Sequence, residues 1–311
     1  MYDLIIVGGG PAGASAAVYA ARKQLKTLMI VEEWGGQSAI SSEVQNWIGT
    51  PAISGVDLAA SLQKHAESYR GEWLEIKTRM RATKLETHDG KVIVTLSNND
   101  IHEAQTVLVT TGANRRKLEV PGAAEYDQKG LTYCASCDGP LFADKDVAII
   151  GGGNAAFETA LQLLAYCKNV TLINRSDSFR ADEITVAAAL AKPNMHVLKN
   201  TEIVSVQGEQ FVTGLTYKQD NGAEEKLAVE GIFVEIGLIP NTEWIGTALE
   251  KNPVGQVVVD PRTQRASHPR VWAAGDCTNG LYHQNNIAAG DAVKALEDIY
   301  LFIHKGAEIG I

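Results

Sequence analysis

Leu4-Ile5-Ile6-Val7-Gly8-Gly9-Gly10-Pro11-Ala12-Gly13-Ala14-Ser15-Ala16-Ala17 is the stretch on which the fold turns. The short apolar run from Leu4 to Val7 reads as a buried parallel strand, and the Ala-rich run from Ala14 to Lys23 reads as a helix. Between them lies G-x-G-x-x-G, a motif that carries meaning only in this strand–turn–helix setting. Gly8 permits the tight turn, Gly10 lets a pyrophosphate approach the backbone, and Gly13 lets helix and strand pack closely. The helix start then offers unpaired N–H groups and the positive end of its dipole to phosphates. A second strand, Thr27 to Val31, ends at Glu32, which lies 19 residues after Gly13, where an acid accepts hydrogen bonds from a ribose.

The pattern recurs 143 residues later. Val147 to Ile150 reads as a strand, Gly151-Gly152-Gly153-Asn154-Ala155-Ala156 as G-x-G-x-x-A, Phe157 to Tyr166 as a helix, and Asn169 to Ile173 as the next strand. A β-rich stretch with a turn signal follows each unit, Asp89-Gly90 in the first and Asn221-Gly222 in the second. The expected fold class is therefore α/β, with two doubly wound dinucleotide-binding domains. Two such sites on one chain suggest a bound redox cofactor served by a second, mobile nucleotide. The second site has no ribose acid. Its second strand ends in Asn174-Arg175-Ser176-Asp177-Ser178-Phe179-Arg180, where Arg175 and Arg180 are either a clamp for a 2′-phosphate, favouring NADPH, or two solvated surface arginines.

Length and composition agree. At 311 residues the chain suits about two domains. Its 45% hydrophobic and 21% charged content argues against disorder, and it has no apolar run long enough for a membrane helix. With 28 basic and 37 acidic residues, a net charge of −9 and no basic cluster, nucleic-acid binding is not expected. The N-terminus enters the first strand without a signal-like segment, so a cytoplasmic location is expected.

Cys134-Ala135-Ser136-Cys137-Asp138 lies just before the second nucleotide unit. C-x-x-C reads as a redox-active dithiol, an inert thiol pair or half of a zinc site. The zinc reading lacks ligands, because there is no second C-x-x-C and no His nearby, and no metal is expected. A dithiol here could take electrons from one cofactor and pass them on by thiol–disulfide exchange. Asp138 reads as a general acid or as a turn residue before Gly139-Pro140, and Cys167 and Cys277 as small core residues.

In order and spacing, Gly8–Gly13, Gly35-Gly36-Gln37, Asn46-Trp47, Thr111-Gly112-Ala113, Cys134–Gly139, Gly151–Ala156, Gly237-Leu238-Ile239-Pro240 and Ala274-Gly275-Asp276 resemble the low-molecular-weight thioredoxin reductase family, over the whole chain. Residues 134 to 142 and 234 to 241 look most like the flavoprotein subunit of alkyl hydroperoxide reductase, without its additional N-terminal thioredoxin-like part, so a separate thiol carrier is expected. The resemblance implies FAD in the first unit, at Gly8, Gly10, Pro11, Ala12, Gly13, Glu32, Gly36, Gln37, Asn46, Thr111, Gly112, Gly275, Asp276, His283 and Gln284. It implies pyridine nucleotide at Gly151, Gly153, Asn154, Ala156, Arg175 and Arg180. It also implies that residues 114 to 243 are a domain inserted into an FAD domain made of 1–113 and 244–311, with links near Ala113–Arg115 and Gly237–Asn241 serving as hinges. Cys137 would face the flavin, Cys134 would attack a thioredoxin or thioredoxin-like partner, Asp138 would be the acid, and the protein would be a homodimer.

Three departures qualify the likeness. NADPH-linked members usually carry His-Arg-Arg followed by a further Arg, whereas this chain has Asn174-Arg175-Ser176 and Arg180, so NADH or ferredoxin as donor stays open beside NADPH. His283 stands where a basic residue commonly precedes Gln284, and Asn285-Asn286 fall in the flavin neighbourhood. Pro140 to Lys145 lacks an Arg that helps thioredoxin docking in some members. An NAD(P)H oxidase or peroxiredoxin reductase built from the same parts is the nearest rival, and a non-catalytic nucleotide sensor a more distant one. The tryptophans are mostly core candidates; Trp34 and Trp47 flank segments that match FAD contacts, so either could border the flavin site, and Trp73, Trp244 and Trp272 are expected in plain packing roles.

Overall fold

The computed structural model describes residues 1–41, 43–88, 90–219 and 222–305. Asp89 and Asn221, half of each expected turn signal, lie outside the described residues. The chain divides into one unit of Met1–Asn114 together with the chain from Ile239 onward, and a second unit of Arg115–Leu238.

The first unit opens with β1 (Tyr2–Gly9), α1 (Pro11–Arg22) and β2 (Thr27–Trp34). Pro11 at the first helical position has the fixed φ a helix start needs and no N–H to leave unpaired. The alanines that follow give α1 a smooth surface, so it is buried on nearly every side. Strand β2 does not stop at Val31 as the sequence suggests; it continues through Glu32 to Trp34, with an irregularity against β1 between Val7 and Gly9. Next come α2 (Gly55–Glu67), capped by Ser54, then β3 (Leu74–Thr78), β4 (Ala82–His88), β5 (Lys91–Leu96) and β6 (Ile101–Val109); the short β7 (Ala113–Arg115) carries the chain out of this unit, with Arg115 the first residue of the second.

The second unit contains β8 (Leu131–Thr132), α3 (Ala135–Asp138), β9 (Asp146–Ile150), α4 (Asn154–Leu163), β10 (Asn169–Ile173), α5 (Glu183–Leu190) and β11 (Met195–Leu198). Helix α4 starts at Asn154, inside the fingerprint, rather than at Phe157. An antiparallel sheet of β12 (Glu202–Gly208), β13 (Val212–Lys218) and β14 (Glu224–Ala228) precedes β15 (Gly231–Val234). The chain leaves through β16 (Leu238–Pro240) and ends in β17 (Val271–Ala273) and α6 (Asn285–Lys305).

In the first unit the sheet order is β3-β2-β1-β6-β5-β4, with β17 paired to β6. Strands β3, β2, β1, β6 and β17 run parallel, whereas β5 and β4 extend the sheet antiparallel as the expected β-rich hairpin. On one face α1 and α6 share a core of Ala16, Ala17, Ala20, Ala292, Ala295, Leu296 and Ile299 with Trp272. Each large apolar side chain buried there stabilises the fold by about 1.5–3 kcal/mol. The second unit carries an all-parallel sheet, β11-β10-β9-β15-β8, with both its βαβ turns at the C-terminal edge. The second dinucleotide-binding domain is thus inserted into the first, and no described helix is long and apolar enough to cross a membrane.

Candidate functional site

In the first unit the C-terminal ends of β1, β2 and β6 open onto a cleft of about 500 Å³. The three glycines of the fingerprint separate by what a side chain would meet. A Cβ on Gly8, at φ +130°, would lie 2.2 Å from the Thr110 carbonyl oxygen, and one on Gly13 would lie 1.9 Å from the Gly8 oxygen. Nothing stands within 4 Å of a Cβ on Gly10, whose open face belongs to the cleft. Turn, close packing and open approach are therefore distributed as a dinucleotide site requires.

Pro11, Ala12, Glu32, Gly36, Gln37, Thr111, Gly112, Gly275 and Asp276 line the same cleft, whereas Gly13 supports it from behind. The Gln37 side-chain amide donates to the Ala113 carbonyl, and Thr111 Oγ1 donates to the Asn241 carbonyl at 2.7 Å. Asn46 and Gln284 lie outside the lining but meet each other, Asn46 Nδ2 donating to Gln284 Oε1 at 3.2 Å. The neighbouring Asn285 accepts from Ser38 Oγ at 2.7 Å, so Ser38 as well as Asn46 is tied to the start of α6. His283 Nε2 is buried with no hydrogen-bond partner among the described residues, an orphan that a bound group can satisfy. These features fit a large dinucleotide such as FAD.

Arg81 and Trp244 are among the lining residues that the expected contacts did not include. Arg81 reaches Glu32 at 3.9 Å from the loop before β4, and Trp244 forms part of the wall instead of only filling the core. Trp34 and Trp47 pack against a small cluster with Leu58 and Leu62, and neither is among the described lining residues. Cys277 and Cys167 are buried thiols, as expected, and burial pushes them up to about 12 and about 11 respectively.

In the second unit four adjacent strands deliver their functional residues to one sheet edge: Arg175 after β10, Gly151–Gly153 after β9, Glu235 after β15 and the cysteine segment after β8. A Cβ on Gly151 would sit 2.3 Å from the Glu235 carbonyl oxygen, whereas Gly153 faces open space and Ala156 is fully buried. Asn154 opens α4, and its side chain accepts from the Asp182 N–H at 2.8 Å. Arg175 and Arg180 are both exposed, and among the described residues neither guanidinium makes an ion pair. Arg180 is held by its backbone N–H, which donates to Gly152 at 2.8 Å. Asn174 is buried and structural; its Nδ2 donates to the Ser176 and Ser178 carbonyls at 2.7 and 3.0 Å and shapes the loop that carries Arg175.

Cys134 and Cys137 are joined by a disulfide, with Cα atoms 5.3 Å apart. Cys134 caps the one-turn helix α3, and both cysteines are half-buried. The turn is pinned from α4, where Gln162 Nε2 donates to the Ala135 carbonyl at 3.1 Å. Gly139 lets Tyr166 approach, since a Cβ there would lie 2.2 Å from the Tyr166 hydroxyl. Asp138 is 8% exposed, and burial raises its carboxyl above the usual range, against a hydrogen bond from Thr132. The same Thr132 oxygen accepts from the Cys134 N–H at 3.2 Å. Thr132 thus bridges the acid and the disulfide. Nothing in the sequence pattern marks it, because a Thr closing a two-residue strand is ordinary without the turn that folds Asp138 back onto it.

Known proteins agree with this construction. The chain is 40% identical to an NADH dehydrogenase of Bacillus subtilis over 295 residues, 94% of this chain and 57% of that protein. It is 38% identical to the F subunit of an alkyl hydroperoxide reductase from Staphylococcus aureus over 303 residues, 97% of this chain and 59% of that protein. It therefore spans less than two thirds of the length of these curated relatives. The crystal structure of thioredoxin reductase from Streptococcus pyogenes superposes with a TM-score of 0.89 at 31% identity, covering 98% of this chain and 99% of that one. The pattern of the pyridine nucleotide-disulphide oxidoreductases matches residues 2–292, and with a glycine fingerprint in each unit and a disulfide beside the second, the chain belongs to that family of enzymes.

Proposed function

We propose that the protein is an FAD-dependent disulfide reductase that passes electrons from NADPH through Cys134–Cys137 to a thioredoxin-like protein. The observation that carries this reading is the half-buried disulfide, with the buried Asp138 beneath it, on the sheet edge that also bears the second glycine loop. In the first unit Gly10 would admit the pyrophosphate of FAD, Glu32 would accept its ribose hydroxyls, and Gln37, Thr111, Asp276 and His283 would be further contacts. When bound, FAD supplies hydride acceptance from the nucleotide and two-electron delivery to the disulfide.

Opening the disulfide consumes two electrons and two protons, and leaves Cys134 free to attack a partner disulfide while Cys137 resolves the mixed disulfide. Asp138 is suited to hold one of those protons, because burial keeps its carboxyl protonated at higher pH than usual. Thr132 orients that carboxyl and ties it to the Cys134 backbone. The expected activity therefore falls as pH rises through the raised Asp138 value. Asp138→Asn should lose about 10²-fold or more in disulfide reduction and flatten that profile. Thr132→Val should move the profile, and Thr132→Ser should restore it.

NADPH is favoured by strand register. Ile30 pairs with Val7 and Ile173 with Ile150, so counting on from these pairs sets Arg175 in the place of Glu32. The residue that would read a ribose hydroxyl in the first unit is replaced by a cation suited to a 2′-phosphate. The reading includes a homodimer, as the resemblance implies, and a cytoplasmic location. A second reading, delivery of NADH electrons to a peroxide-reducing partner or to oxygen, draws on the likeness to the Bacillus subtilis and Staphylococcus aureus proteins.

The deciding measurement is an anaerobic titration of the FAD-loaded protein with NADPH and then NADH, followed by a thioredoxin-like disulfide protein. Rapid bleaching of the flavin by NADPH, then partner reduction that Cys137→Ser abolishes, is the expected result. Bleaching by NADH alone moves the assignment to the second reading. If neither nucleotide bleaches a flavin that dithionite reduces, the pyridine-nucleotide donor is wrong and ferredoxin is the next donor to try.

A further inference from the structure

Glu235 is the first residue beyond β15, and its backbone is part of the second glycine loop. Its N–H donates to the Ile150 carbonyl at 2.8 Å, and its own carbonyl closes over Gly151. Because Val234 pairs with Ile150 as Val109 pairs with Val7, Glu235 is the counterpart of Thr110 in the first unit. Thr110 is neutral there and turns its hydroxyl back onto the Val7 carbonyl at 2.8 Å. Glu235 instead sends a carboxylate, only 7% exposed, inward beneath the loop. The carboxylate accepts from Thr159 Oγ1 of α4 at 3.0 Å and meets Arg115 Nη1 of β7 at 3.3 Å. Glu158, on the same helix, is its other charged neighbour. All of this lies where the strand order reverses between β9 and β15, the crevice in which open parallel sheets bind nucleotides.

We propose that Glu235 is a proton-linked positioning residue for the pyridine nucleotide, acting through Arg115 so that the second glycine loop holds an anionic dinucleotide more tightly when this carboxyl is protonated. The inference rests on the second unit being a nucleotide site. Ionised, Glu235 neutralises the Arg115 guanidinium. Protonated, it leaves that guanidinium, 26% exposed, as one uncompensated positive charge beside the crevice. Burial pushes the carboxyl up to about 7 against the pull of Arg115 and Thr159, and Glu158 pushes the same way, so the two forms exchange near neutrality. By linkage, a bound anion draws a proton onto Glu235, and nucleotide affinity falls as pH rises through this range.

The test is calorimetric titration of the FAD-loaded chain with ADP-ribose and with its 2′-phosphate. Neither can transfer hydride, and ADP-ribose has no group that titrates near neutrality. For the wild type we expect Kd to rise about threefold or more between about pH 6 and about pH 8, with net proton uptake read from buffers of different ionisation enthalpy. Glu235→Gln, which keeps the acceptor for Thr159 and Arg115, should bind with a pH-independent Kd for ADP-ribose and take up no proton. Binding whose pH dependence and proton count are the same in wild type and Glu235→Gln overturns the proposal and leaves the nucleotide site standing. Absence of binding by both ligands at every pH overturns the site and the proposal together. The wild-type proton count needs no variant, so a Glu235→Gln chain that fails to fold does not remove the test; zero uptake with measurable binding overturns the proposal alone.

Discussion

The two glycine loops are built on the same strand register, yet they differ at positions that set packing and charge. Gly13 in the first corresponds to Ala156 in the second, Glu32 to Arg175, and Thr110 to Glu235. The shared part is geometric: a first glycine pressed against the carbonyl of the opposite strand, and a middle glycine facing open space. The divergent part is electrostatic. The first loop has an acid, Glu32, two residues beyond the strand pair and a neutral residue beneath; the second has a cation, Arg175, at the equivalent place and an ionisable carboxyl beneath. A cofactor held for many turnovers and a nucleotide that must come and go need the same backbone cradle. They need not share charges, and here they do not.

The largest effect should come from making the loops alike in packing. Gly13→Ala drives a methyl into the Gly8 carbonyl, with 1.9 Å available and backbone as the obstacle. The expected outcome is a chain purified without flavin and with a lower Tm, measured by absorbance ratio and thermal unfolding. Gly10→Ala meets nothing within 4 Å, so it should fold normally and bind FAD more weakly. Ala156→Gly in the second loop should change stability by only about 1 kcal/mol, the ordinary helix penalty for glycine. Equal damage from Gly13→Ala and Ala156→Gly would show that close helix–strand packing does not separate the loops.

Making the loops alike in charge should have a smaller and more selective effect. Arg175→Glu places in the second loop the acid that the first one carries. The expected outcome is a KM for NADPH raised about 10–100-fold with kcat for disulfide reduction little changed, and a KM for NADH unchanged or lower. Arg180→Gln should cost less, because the Arg180 backbone hydrogen bond to Gly152 survives. If Arg175→Glu leaves the NADPH and NADH constants in their wild-type ratio, Arg175 is a solvated surface residue and the register comparison has no bearing on donor choice.

Much of this was legible in the chain because glycine spacing encodes backbone constraints locally. Gly8, Gly10 and Gly13 each announce a steric need, and the repeat at Gly151 announces a second unit before any contact is known. The cysteine pair is equally local. What escaped depends on folding back. Thr132 acquires its partners only because the turn at Cys134 returns Asp138 to it, and Glu235 meets Arg115 across 120 residues of sequence. Arg81 approaches Glu32 from the loop before β4, and Trp244 reaches the cleft from the segment after the second link. Helix α4 begins three residues earlier than its hydrophobic pattern because Asn154 and Ala155 are exposed and leave no apolar trace. Periodicity reports what is buried, and capping turns are not.

The smallest expected effect concerns stability, and it follows from Thr110 and Glu235 occupying one position. In the folded chain Glu235 holds its proton up to about 7, whereas an unfolded glutamate releases it near 4.5. Between those values the folded state binds more protons, so stability declines as pH rises across that window and levels off above it. The full span is on the order of 3 kcal/mol. Glu235→Gln removes the titration, so it should stabilise the second unit by about 2–3 kcal/mol above pH 7 and by nothing below about pH 4.5. The tryptophans supply a built-in control: Trp34, Trp47, Trp73, Trp244 and Trp272 all belong to the first unit. Urea unfolding followed by tryptophan fluorescence should be unmoved by the substitution, while the circular-dichroism transition of the second unit shifts at pH 8 and not at pH 4. A shift of equal size at both pH values would mean that Glu235 contributes packing rather than charge, and the electrostatic difference between the loops would then reduce to Glu32 and Arg175.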